Sequence, residues 1–209
     1  MLTMKSSRHA QSRGFSLIEL MVALVVGLIV IGAVLALVTS IMKSNRQSLD
    51  TTRLMQEMRA TAAVISSDMR RARGVADPLA VATETGGNPY KAVDTATAGC
   101  VKYAYAGAIG GPYRAIFRDS TNNKVVVASG ATSTACNSTG TPLTSDQVEI
   151  TALTFESLPL TAGVPPPSDK VRQIRMTLTG RLKSADPEMT AINRTITQSI
   201  FVRSVGTGS

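Results

Sequence analysis

The chain has few of the residues on which most catalytic sites depend. Among its 209 residues there is one histidine, two cysteines and no tryptophan. The histidine, His9, lies near the N-terminus, so from residue 15 onward the chain has no Ser–His or Cys–His pair of nucleophile and base. Two cysteines without a histidine also make a poor metal site. The sequence therefore predicts a protein that is not an enzyme and holds neither a metal nor a cofactor.

Charge is almost absent from the segment that follows. From Gly14 to Met42 the only formal charge is Glu19, and residues 20–38 are all apolar. As a helix these nineteen residues extend about 28 Å, close to the roughly 30 Å of a bilayer core. No Ala-x-Ala-like cleavage site follows the run, so we interpret it as a retained membrane anchor. The basic residues before it place the N-terminus in the cytoplasm by the positive-inside rule, and these are Lys5, Arg8 and Arg13.

The residues around Glu19 form a motif. The run Gly-Phe-Ser-Leu-Ile-Glu-Leu-Met, residues 14–21, resembles the class III signal of type IV pilins and pseudopilins. The resemblance implies that prepilin peptidase cuts after Gly14, that Phe15 is then N-methylated, and that Glu19 makes an assembly contact. A new amine in an apolar environment is costly, and a carboxylate one turn along offsets its charge within the same or a neighbouring subunit. The alternative is an ordinary signal anchor with Glu19 near the interface.

Proline is absent before Pro78, which predicts one continuous helix from Phe15 to about Arg73, stopped by Gly74. Major pilins typically carry a proline in the membrane half of this helix, so its absence favours a minor pilin or a pseudopilin. The second half of the helix is amphipathic. Its apolar positions recur at largely three- and four-residue spacing and predict a face packed under a sheet: Leu49, Met55, Met58, Ala62, Ile65, Met69 and Ala72.

The predicted fold is therefore α+β, with a long N-terminal helix packed on an antiparallel β-sheet head, the lollipop of pilins. We divide the chain into a basic leader (1–14), a transmembrane or filament-core helix (15–42), an amphipathic stalk (43–73) and a periplasmic β-rich head (74–209). Alternating and β-branched runs predict six strands in the head: 100–105, 113–118, 124–128, 148–157, 170–182 and 192–202. Turns are predicted at 107–112 and 120–123, and a proline-rich loop at 162–168.

The strongly basic composition does not point to nucleic acid. Although the pI is about 9.9, residues 74–209 carry twelve cations and ten anions, and the excess lies in the leader and stalk. The cluster of Arg70, Arg71 and Arg73 could contact phosphate, but such a cluster is more often a solvated helix end. DNA binding is therefore not expected.

The expected partners are prepilin peptidase, the inner membrane, and the other pilins with their assembly machinery.

The two cysteines, Cys100 and Cys136, both fall on the exported side of the anchor, where oxidation is permitted. We predict a disulfide between them, with two free buried thiols as the alternative. Acidic and amide residues offer weaker candidates. We interpret Asp146 with Glu149, and Asp186 with Glu188, as solvated charges rather than acid–base pairs. A third group could supply oxygen ligands to calcium, but lacks the spacing of an EF-hand and is more simply a turn: Asp119, Asn122 and Asn123.

Three functions remain open at this point. The order of elements resembles PilW-like minor pilins, which help to initiate or stabilise a type IV pilus, and their J-type pseudopilin relatives of type II secretion. Three features carry this resemblance: the helix end at 70–74, Tyr113-Arg114, and the closing Phe201-Val202-Arg203. The third possibility is a tip module that binds DNA or a surface. All three share the anchor, and a filament subunit in the inner membrane and then in the pilus is the main expectation.

Overall fold

The computed structural model describes residues 14–83, 87–158, 163–184 and 190–203. The predicted leader residues 1–13, together with Asp186 and Glu188, lie outside these ranges. The described residues fold into two compact units, one ending at Ser48 and the other beginning at Leu49. The helices and strands, in chain order, are α1 (Leu17–Met69), α2 (Pro78–Thr83), β1 (Cys100–Ala104), β2 (Tyr113–Asp119), β3 (Lys124–Gly130), β4 (Thr141–Pro142), β5 (Val148–Leu158), β6 (Gln173–Leu182) and β7 (Asn193–Phe201).

The first unit consists of the apolar part of α1. Its large side chains are exposed, with Phe15 at 83% and Leu17 at 77%, because no other described element packs on them. An apolar helix without a protein core around it requires another apolar environment, either lipid or other subunits. Gly27 and Gly32 lie in this part of the helix and interrupt neither its hydrogen bonding nor its course as an α-helix.

The second unit holds two antiparallel sheets. One has the strand order β1-β2-β3-β4, and the other has the order β5-β6-β7. β6 alternates strictly between buried and more exposed residues, as its sequence predicts, and pairs in continuous register with β7 from Gln173↔Phe201 to Arg181↔Asn193. The pairing of β5 with β6 shifts at one irregularity between Ile150 and Ala152. Both sheets therefore have one face toward the core.

The main core is one cluster built by α1 and the inward faces of both sheets. From α1 it takes Leu54, Met58, Ala62, Ile65 and Met69, all at 2% exposure or less. From the sheets it takes residues such as Val101, Ile116, Ile150, Ile174, Met176 and Leu178. The predicted apolar face of the helix is correct from Met58 onward. It is wrong at its start, because Leu49 is 71% exposed and Leu54, rather than Met55, is the side chain that is fully buried.

A second, smaller core covers the opposite face of the first sheet. It is formed by Cys100, Ala115, Phe117, Val126 and Ala128, with Cys136 packed on it. A disulfide joins Cys100 to Cys136 across a sequence separation of 36 residues, as predicted, with a Cα–Cα distance of 5.9 Å. It holds the loop after β3 over the sheet. Closing a loop of this length is worth about 4 kcal/mol on the chain-entropy model.

The six predicted strands are all present, and their ends differ from the prediction by no more than three residues. Two short elements were not predicted. α2 has six residues and β4 only two, so neither is long enough to carry a periodic pattern. The helix end is also different: α1 ends at Met69, and the left-handed residue is Arg73 (φ 66°), not Gly74.

Arg73 is buried to 4% exposure, which makes the prediction of a solvated arginine cluster wrong for this residue. Its Nε donates to the Lys91 carbonyl (2.7 Å), Nη1 to the carbonyls of Val171 (2.6 Å) and Arg203 (3.0 Å), and Nη2 to that of Ser168 (2.9 Å). Its backbone N–H donates to Ala104, and its carbonyl accepts from Asn88 Nδ2, both at 2.8 Å. The guanidinium thus ties three separate segments of the head to the end of the stalk.

We predict that Arg73→Met lowers the free energy of unfolding by about 3–5 kcal/mol, because four carbonyl acceptors lose their donor in a buried site. The measurement is urea unfolding of the detergent-solubilised full-length chain, followed by circular dichroism. The exposed neighbour provides a matched control, and Arg71→Met should change stability by no more than about 0.5 kcal/mol. Equal effects of the two substitutions would contradict the role assigned to Arg73.

Candidate assembly site

The predicted processing site lies at the start of α1. Gly14, Phe15 and Ser16 precede the first helical residue, Leu17, and all three are exposed. The Ser16 carbonyl accepts from the backbone N–H groups of Glu19 (3.0 Å) and Leu20 (3.1 Å), which places Ser16 at the N-cap. The peptide bond between Gly14 and Phe15 is therefore outside the helix, where a protease can bind it in an extended conformation.

Gly14 is not required by the packing of this chain. A Cβ placed on Gly14 would meet no atom within 4 Å, and the residue does not adopt a positive φ. A larger side chain at this position would leave the fold unchanged. Any requirement for glycine here must come from a molecule outside the chain, as expected for the substrate of a peptidase.

Glu19 lies in the first turn of α1 and is exposed. Ser16 and Glu19 have the Ser-x-x-Glu spacing of a capping box, in which the glutamate sits at the third helical position. A carboxylate there also interacts favourably with the positive end of the helix dipole. This local role was not predicted, although the Ser-x-x-Glu spacing alone could have revealed it. The predicted contact between Glu19 and the amine of processed Phe15 is a separate matter, because that amine exists only after cleavage.

Within the described residues, α1 is the one helix that is long and apolar enough to cross a membrane, judged by its length and composition. None of its most apolar stretch is buried inside the protein. Together with the motif at its start, this is consistent with anchoring of the chain in a membrane.

The stalk is attached to the first sheet by a polar cluster around Asp68. Tyr103 and Tyr105 both donate their hydroxyls to the Asp68 carboxylate, the latter at 2.5 Å. Arg114 lies beside the same carboxylate, with its Nε 3.6 Å from Asp68 Oδ2, and donates to Ser129 Oγ at 2.6 Å. Burial raises the pKa of Tyr103 well above its ordinary value, and the adjacent Asp68 charge raises it further. The cluster therefore keeps Tyr103 protonated as a hydrogen-bond donor.

Another contact ties the stalk to the loop before β5. The two carboxylate oxygens of Glu57 accept from the backbone N–H and the hydroxyl of Ser145, at 2.6 and 2.9 Å. Asp68 and Glu57 are thus both anchoring residues of the stalk. Neither was singled out from the sequence, since an acidic residue on an amphipathic helix is ordinarily a solvated charge.

The other acidic candidates make ordinary surface contacts. Asp146 pairs with Lys124, and Glu149 pairs with Arg181 at 3.0 Å across β5 and β6. Asp119 accepts from Asn122 Nδ2 (2.7 Å) and from the Thr121 backbone (2.9 Å), and these hydrogen bonds lower its pKa. Its oxygens thus organise the predicted turn. Among the described residues, no three or more of His, Cys, Asp and Glu gather where they could hold a metal ion.

A cleft of about 210 Å³ lies between residues 89–94 and residues 133–134. Its lining includes Tyr90 and Tyr113, whose rings meet edge to face with centroids 6.2 Å apart. Asp94 and Lys102 also line it and pair with each other at 2.8 Å, and the hydrogen bond from Lys102 lowers the pKa of Asp94. The charges of Asp94 and Lys102 are therefore engaged with each other.

Models of known families match both the N-terminal segment and the rest of the chain. A family model described as prokaryotic N-terminal methylation motif matches residues 9–35, which include Gly14, Phe15 and Glu19. A second model, described as prepilin peptidase-dependent protein B, matches residues 47–202, about three quarters of the chain. No curated protein and no solved structure matches the chain.

The raised pKa of Tyr103 predicts how stability changes in alkali. Because the folded state holds this proton more tightly than the unfolded chain, stability should fall as the pH rises above about 10, the pKa of an unperturbed tyrosine. Tyr103→Phe should remove this part of the alkaline loss, while the half-exposed Tyr90→Phe should leave it. The measurement is denaturant unfolding at a series of pH values above neutrality. An unchanged alkaline slope in Tyr103→Phe would show that the proton is not held by this cluster.

Proposed function

Because the chain belongs to the family of prepilin peptidase-dependent protein B, we propose that it is a minor pilin of a type IV pilus, with a structural and non-catalytic role in pilus assembly. In this proposal prepilin peptidase cleaves after Gly14, and Phe15 becomes the methylated N-terminus. α1 holds the subunit in the inner membrane, with its N-terminus cytoplasmic and its head periplasmic, until it enters the filament.

One observation carries the proposal. The methylation motif coincides with the start of a helix whose apolar side chains are exposed and whose following half is buried in a β-rich head. In this proposal the partners of the exposed helix are other pilin-type subunits and the assembly machinery. The family match over the head extends the pilin-type assignment beyond the N-terminal signal.

The absence of proline from α1 supports a minor subunit rather than a major one. A proline in the apolar half would break the hydrogen bonding of the helix at that point, and α1 instead continues to Met69. Within the minor subunits, a PilW-like role in pilus biogenesis is the assignment that we favour over a J-type pseudopilin. The two assignments share the motif, the helix and the head.

The processing step can be tested directly. We predict that Gly14→Leu leaves an uncleaved, membrane-bound precursor, because the fold tolerates the side chain while the peptidase does not. N-terminal mass spectrometry, with and without prepilin peptidase, should show methylated Phe15 in the wild type only when the enzyme is present, and should not show it in Gly14→Leu under either condition. Gly32→Leu is the matched control, since Gly32 also has open space around it and lies away from the cleavage site. A normally processed Gly14→Leu protein would contradict the assignment.

Whether the chain serves a pilus or a secretion system can be tested in cells. We predict that a deletion strain loses surface pili and keeps type II secretion, because the subunit helps to initiate the pilus. Electron microscopy of pili and assay of a secreted enzyme, with the wild-type gene restored as a control, provide the measurement. Lost secretion with normal pili would assign the chain to the pseudopilins, and normal pili with defective DNA uptake or adhesion would assign it to a tip module.

A further inference from the structure

β7 forms an open edge of the second sheet, because the strand order is β5-β6-β7 and no other described segment pairs with its outer side. The Val202 N–H donates to the Arg172 carbonyl at 2.9 Å, which fixes the direction of the backbone groups. In an antiparallel pair, the backbone N–H and C=O groups of alternate residues point toward the neighbouring strand, and those of the residues between them point away from it. The odd-numbered residues from 193 to 201 therefore present their N–H and C=O groups outward.

The other three sheet edges are either very short or engaged in further backbone hydrogen bonds. β4 has only two residues, and the edge of β1 is bridged by Asp94, which exchanges two 2.8 Å backbone hydrogen bonds with Lys102. The edge of β5 is engaged where the Ile150 N–H donates to the Asn123 carbonyl at 2.7 Å. β7 has nine residues with no proline and no bulge in its pairing with β6. Short length, proline and bulges all protect exposed edges in natural proteins, and β7 has none of the three, so its long edge is suited to pairing.

The side chains along this edge also leave apolar surface to cover. Phe201 is 69% exposed at the end of β7. Ile196, and Ile192 just before the strand, are only partly buried although they pack against the main core. A further strand beside β7 would extend the sheet over this margin of the core and remove that apolar surface from water.

The charge of the edge indicates what kind of strand fits. Residues 193–203 contain two arginines, Arg194 and Arg203, and no carboxylate. Both arginines are exposed, and Arg194 has no acidic partner among the described residues. A complementary strand would bring carboxylates to this edge. A second copy of β7 would bring only more cations, because two antiparallel copies paired about Thr197 place each Arg194 opposite Ile200 and supply no acid.

We propose that the open edge of β7 is an assembly surface that accepts an extended, carboxylate-bearing strand from the head of a different pilin-type subunit. The pairing is β-augmentation, in which backbone hydrogen bonds give affinity and side chains on alternate positions give specificity. This inference rests on the proposed function, and it names the surface of the head through which the subunit joins its neighbour.

The test removes one outward N–H without removing a hydrogen bond to β6. Thr197 has its N–H on the open side, so Thr197→Pro blocks pairing there, while Thr197→Ala keeps the N–H and serves as the matched control. Each full-length variant is expressed in the deletion strain, and the methylated protein is quantified in sheared filaments and in the membrane. We expect Thr197→Pro to lower the filament share by about tenfold, since the loss of one backbone hydrogen bond and the added clash are worth at least about 1.4 kcal/mol.

Arg194→Glu is a second variant, which leaves the backbone untouched and reverses the charge of the edge. It should also lower the filament share. Arg71 is an exposed arginine at the helix end, and the control variant Arg71→Glu should not lower the filament share. Circular dichroism of each purified full-length protein establishes that the head is folded. If Thr197→Pro and Arg194→Glu are both folded and enter filaments as the wild type does, the inference is wrong.

Photo-crosslinking identifies the partner. A photoreactive residue at Ser199, on β7, should crosslink in intact filaments to a different chain that carries its own methylated N-terminus. The same residue at Thr154, exposed on β5 two strands from the edge, should not. A crosslink to a second copy of this chain, to a protein of another kind, or equally from both positions would overturn the inference. Correct Phe15 processing in every variant keeps such a failure distinct from a failure of the proposed function.

Discussion

The head depends on one buried cation. Arg73 adopts a left-handed backbone conformation directly after α1, and its guanidinium reaches the carbonyls of residues 91, 168, 171 and 203. These carbonyls belong to the segment before β1, the segment before β6 and the segment just after β7, which are otherwise irregular. Burial lowers the pKa of Arg73, and the nearby Asp169 charge raises it, but a guanidinium stays charged at neutral pH. A lysine could not replace it, because a single ammonium cannot direct donors to four carbonyls as the planar guanidinium does.

The stalk part of α1 carries two further polar anchors, which act by the same principle. Asp68 accepts from Tyr103 in β1 and from Tyr105 just after it, and Glu57 accepts from Ser145 in the loop before the second sheet. Apolar packing of Met58, Ile65 and Met69 supplies the larger share of the favourable free energy but does not fix direction. The directional hydrogen bonds of Arg73, Asp68 and Glu57 select one register of the helix against the two sheets.

Sequence patterns predicted the fold class, six of the seven strands and the disulfide, because periodicity and cysteine placement are local or easily counted. They failed where a residue's role depends on distant chain segments. Arg73 looked like a solvated charge because three of its carbonyl partners lie 95 to 130 residues away. Leu54 was missed because Met55 fits the apolar spacing equally well, and only the position of the sheets decides between them. At the candidate site, the roles of Gly14, Phe15 and Glu19 stay predictions from the motif, while the N-cap position of Ser16 required the observed start of the helix.

The two sheets differ in how much surface they leave for other molecules. The first sheet is covered on one face by the main core and on the other by the cluster of Cys100, Phe117 and Val126, over which the disulfide holds a loop. The second sheet has a solvated outer face with facing threonines, such as Thr179 and Thr195 with hydroxyls 3.0 Å apart, and it ends in the open edge of β7. In the proposed filament, a subunit with this exposed apolar helix would need a second contact to orient its head. Because the first sheet is closed on both faces, that contact is more readily made through the second sheet.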